Sequence, residues 1–142
     1  MNFNRHYKLA VIYPFVVVML FTTVFSIIDN RNYKSEWLTA DAVIQMSIIW
    51  AFLYSLVIAG LSLTIFLSKL EKIRANKLLV GLSWFLLPFS FIAIVITHEI
   101  SYTIRYDDGK FGSPFVYTLI LNLPFIIGLI LSYINYRRTT IR

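Results

Sequence analysis

Four stretches of this chain, 9–28, 42–68, 78–97 and 114–136, contain no charged side chain. The hydrocarbon core of a bilayer is about 30 Å thick, which an α-helix crosses in about 20 residues. Each stretch is long enough, so the expected fold is an all-α integral membrane protein with four transmembrane helices. These are spans one to four, and together they make one transmembrane domain over 1–142. As an α-helix the second would run for about 40 Å, so it must tilt or project into the interface. Composition closes the soluble alternatives. With 58% hydrophobic and only 14% charged residues, the chain lacks the polar surface to cover a core in water. Span one reads as a retained helix. Its apolar run is too long for a leader peptide, and its exit, Ser26-Ile27-Ile28-Asp29, offers no small-residue cleavage site.

The charges predict an orientation. Arg5, Lys8, Lys69, Lys72, Arg74, Lys77, Arg137, Arg138 and Arg142 all fall on one side of the four spans, with Glu71 as the only acid there. Short loops rich in Lys and Arg stay in the cytoplasm. Both termini are therefore expected inside (N-in/C-in), in a bacterial cytoplasmic (inner) membrane. The pI near 9.7 is then a topology signal, supported by the lipid bilayer itself, and not the footprint of a nucleic acid. Tyr33, Trp37, Tyr102, Tyr106 and Phe111 fall near the outer interface, where aromatic residues favour headgroup depth.

Span two carries Ser47, Ala51, Ser55 and Ala59 as an i, i+4 row of small residues. Helices in lipid associate through close backbone approach over such residues. Packing within the chain is the preferred use of the row, a homo-oligomer contact the alternative, and either would place span two at the centre. Pro14, Pro88 and Pro124 lie inside spans and should each disturb the helix they sit in. Lys8–Val11 resembles Lys77–Val80, and Gly60-Leu61 resembles Gly128-Leu129, which hints at a repeat of two hairpins.

Function classes are narrowed mainly by what is missing. No Asp, Glu, Lys, Arg or His sits in the middle of a span, where proton relays and coupled transporters need one. Cysteine is absent, which removes thiol chemistry, and the two histidines, His6 and His98, lie at opposite faces of the membrane, unsuited to ligate a haem. No catalytic or phosphate-binding motif appears, and no cofactor or metal is expected; His98 and Glu99 are the only candidate acid/base pair for an enzyme. The intramembrane polar residues Gln45, Thr118 and Asn122 remain. An amide at that depth must hydrogen-bond across helices or line a polar cavity.

The segment after Thr97 alternates Ile100, Tyr102, Ile104 and Tyr106 with polar residues, which favours a short extracytoplasmic strand, and Asp108-Gly109 then supplies a turn. A helix continuing past the membrane is the rival reading, since Ile100 and Ile104 also share a helical face. Tyr102, Arg105 and Tyr106, with Trp37, are residue types enriched where protein interfaces are strongest. The expectation is thus a non-enzymatic protein acting through a membrane or extracytoplasmic protein partner, as an accessory subunit or an immunity-type protein. The alternative is a small channel or transporter for a neutral or lipid-like molecule, built on Gln45, Thr118 and Asn122.

Overall fold

The computed structural model describes residues 3–35, 37–106 and 112–140. Every regular element among them is helical. Four helices are long and apolar enough to cross a bilayer: Asn4–Asp29, Ala40–Lys69, Lys77–Arg105 and Pro114–Thr139. They correspond to spans one to four, and their exteriors are apolar on every side. Leu20 is 63% exposed, Trp50 61% and Ile94 67%, a surface suited to the hydrocarbon of a bilayer. The chain is an integral membrane protein.

Sequence chemistry sets the limits of the helices. The Thr39 hydroxyl accepts from the Ala42 N–H at 3.2 Å and caps span two. Asn76 does the same for span three, accepting from the Leu78 N–H at 2.9 Å. Span one opens as an α-turn, passes through a π-helical turn over Lys8–Ile12 and resumes as α-helix from Tyr13 to Asp29. Pro14 explains the irregularity. It has no N–H to donate and its ring would press on the carbonyl four residues back, and the widened turn relieves that clash. Span two ends in an eight-residue 3₁₀ segment, Ser62–Lys69, unusually long for that conformation. Its buried residues are Ser62, Ile65 and Ser68, the period of three that a 3₁₀-helix stacks on one face. A single turn, Glu71–Arg74, leads into span three.

The spans form a four-helix bundle. Span one packs on spans two and four, and span three packs on span four and on the 3₁₀ end of span two. Neighbours run antiparallel. The Tyr7 hydroxyl near the start of span one donates to the Ala59 carbonyl late in span two, at 3.0 Å. Ser132 near the end of span four donates to the His6 carbonyl at 2.7 Å, so both ends of the described chain lie at one end of the bundle.

Two expectations need correction. Residues 100–106 are not a strand: helix Lys77–Tyr106 runs unbroken through them. A lone strand leaves its backbone groups unpaired beside the membrane, whereas a helix satisfies its own. The Asp108-Gly109 turn lies outside the described residues. Span two touches each of the other three spans, span one along its α-helical part and span three mainly through its 3₁₀ end. Finally, the glycines that suggested a repeat are not equivalent: a Cβ on Gly60 would meet nothing within 4 Å, while one on Gly128 would collide with span one.

Candidate functional site

The interior holds two polar constellations, one near the middle of the bundle and one at the end that carries the termini. In the first, the Tyr54 hydroxyl of span two donates to Asn122 Oδ1 of span four at 2.5 Å. Asn122 Nδ2 in turn donates to the Thr118 carbonyl at 2.7 Å. Asn122 is fully buried, and the Tyr54 ring lies 5.4 Å from that of Phe91, centroid to centroid. The amide thus uses its carbonyl across helices and its N–H within its own helix. Gln45 stands apart. It is exposed and about 13 Å along span two from Tyr54, whereas Thr118 and Asn122 are buried. Interhelical hydrogen bonds in bilayers contribute about 0.6 kcal/mol on average and about 1.7 at most. Tyr54→Phe should therefore cost about 1 kcal/mol in a reversible unfolding titration in mixed micelles. Asn122→Leu should cost more, because it also strands the Tyr54 hydroxyl.

The small-residue row is consumed inside the chain. Ala51 and Ser55 are wholly buried, and Ser47 and Ala59 are half-buried. Tyr117 of span four donates to the Ser47 carbonyl at 2.6 Å, and Tyr7 of span one to that of Ala59. The hydroxyls of Thr22, Ser55 and Ser62 are buried with no hydrogen-bond partner among the described residues.

The second constellation surrounds Trp84. This wholly buried indole lies 5.6 Å from the ring of Tyr133, 5.2 Å from Tyr136 and 6.3 Å from His6. Its Nε1–H donates to Ser68 Oγ at 3.1 Å, and Ser68 and Ser83 hydroxyls lie 2.8 Å apart. Ser83 gives its proton to the Val80 carbonyl, so the chain must run from Trp84 through Ser68 to Ser83. Arg74, Lys77 and Arg137 ring a recess against Tyr133 and Tyr136 at this end. Sequence patterning gave no sign that Trp84, Ser68 and Ser83 would meet. Serines at 62 and 68 with Ile65 between them were a signal of period three, too short to read alone.

At the opposite end Trp37 is 90% exposed and Tyr102 47%, and Arg105 is also exposed. The side chain of Tyr106 lies outside what the structure describes. His98 is exposed and Glu99 half-buried, and no group of three or more metal-ligating side chains assembles among the described residues. Comparison with protein-family models, with curated proteins and with solved structures returns no match.

Proposed function

We propose that this protein is a non-enzymatic integral membrane protein that works by binding a protein partner at the end of the bundle opposite its termini. The partner is a membrane or extracytoplasmic protein, and the role is that of an accessory subunit or an immunity-type protein. One observation carries the reading: Trp37 stands 90% exposed at the same end as exposed Tyr102 and Arg105. Trp, Tyr and Arg dominate binding energy where they become enclosed by a partner. The interior lends support, since Asn122 is engaged with Tyr54 and Gln45 lies apart from both.

The same proposal puts the termini in the cytoplasm of a bacterial cell and the Trp37 end outside, following the nine basic residues. Single cysteines at Ser35 and Gly112 should react with an impermeant maleimide on intact cells, and ones at Arg74 and Arg138 only after lysis. Affinity capture from native membranes should recover a stoichiometric partner. Replacing Trp37, Tyr102 and Arg105 together by Ala should reduce that recovery at least tenfold while insertion stays normal. Recovery of the chain alone, or a triple variant that captures as well as wild type, would count against the assignment.

A further inference from the structure

Spans three and four leave a groove of about 620 Å³ between them at the end that carries the termini, lined by Lys77, Gly81, Phe85, Phe89, Tyr133 and Arg137 among others. Beside it lies a recess of about 160 Å³ that shares Lys77, Tyr133 and Arg137 and adds Arg74. Among the described residues no carboxylate lines either one. The groove is therefore cationic at its mouth and apolar and aromatic below. From Lys77 to Phe89 the helix rises about 18 Å, close to the depth of one bilayer leaflet.

Gly81 keeps the groove open. A Cβ there would meet only the Tyr133 hydroxyl, at 3.8 Å, so helix packing does not demand glycine at this position. That hydroxyl sits at the level of Gly81, about 6 Å below Lys77, where the ester oxygens of a lipid fall beneath its phosphate. The geometry points to a specific site for one anionic phospholipid. Its phosphate lies among Arg74, Lys77 and Arg137, and an acyl chain runs along Gly81, Phe85 and Phe89. A zwitterionic lipid gains less, because its own ammonium group meets the same three cations. Basic pockets between membrane helices are suited to anionic headgroups for this reason.

The experiment uses the full chain in nanodiscs of equal phosphatidylglycerol and phosphatidylcholine, extracted into mild detergent, with retained lipid counted by native mass spectrometry. Wild type should retain one phosphatidylglycerol per chain. Each cation near a membrane surface contributes about a fivefold preference, so Lys77→Gln with Arg137→Gln should reduce that retention roughly 25-fold. Lys8→Gln with Lys72→Gln removes the same charge from exposed positions outside the groove and should change it less than twofold. Gly81→Leu should abolish retention by filling the groove with the cations intact. Leu86→Trp, at a 53% exposed position of the same wall, gives a second groove-filling variant should the first not fold. Equal losses from the two charge pairs, or full retention in a folded groove-filled variant, would overturn the site.

Discussion

Trp84→Ala should lower the stability of the bundle by about 3–4 kcal/mol, the largest loss expected from any single truncation. Aromatic pairs contribute about 0.5–1.5 kcal/mol each, and this indole meets three rings, those of His6, Tyr133 and Tyr136. Truncation also leaves a cavity and deprives Ser68 of its N–H donor. The substitution acts on all four spans at once, because His6 lies in span one, Ser68 ends span two, Trp84 lies in span three and the tyrosines end span four. Trp84→Phe keeps most of the ring contacts and should cost about 1 kcal/mol, the share of the hydrogen bond. Reversible unfolding in mixed micelles, followed by circular dichroism, measures both. A loss below 1 kcal/mol for the alanine variant would show that this end of the bundle is not held by the indole.

The second large effect is expected at Gly128. A Cβ there would overlap Pro14 Cγ and stand 3.1 and 3.2 Å from the carbonyl oxygens of Leu9 and Ala10. Neither a proline ring nor a helix backbone can yield, so Gly128→Ala must push spans one and four apart, at a cost of about 2–3 kcal/mol. Gly60→Ala is the matched control. Its Cβ enters open space and replaces a poor helix former, so that variant should be neutral or up to about 1 kcal/mol more stable. Thermal unfolding in detergent distinguishes them: the two alanines should move the midpoint in opposite directions or leave Gly60 unmoved.

The existence of the four spans was legible because twenty uncharged residues in a row have few other uses. The starts of spans three and four have local causes, the cap that Asn76 supplies to the Leu78 N–H and the preset backbone angle of Pro114. Residues 98–106 were misread because period two and period 3.6 overlap over so short a stretch: Ile100 and Ile104 satisfy both. Buried Thr103, flanked by exposed Tyr102 and Ile104, still alternates, yet the chain is helical there. The need of Asn122 for a partner could be read from its depth, but Tyr54 resembled any other aromatic residue in a span. Nothing local connects two residues 68 positions apart. The closeness of Pro14 to Gly128 was hidden for the same reason, although each residue type pointed to some backbone peculiarity of its own.

The 3₁₀ end of span two gives this stretch its own arithmetic of insertion and deletion. Along an α-helix a side chain returns to nearly the same face after seven residues, but over Ser62–Lys69 it returns after three. A one-residue deletion there turns everything beyond it by roughly 120°, which would carry Ser68 away from Trp84 and Ser83. Three extra residues would instead restore the face and lengthen the segment by about 6 Å. Length variation within this stretch should therefore come in threes, while the α-helical parts of the same span tolerate it only in larger steps.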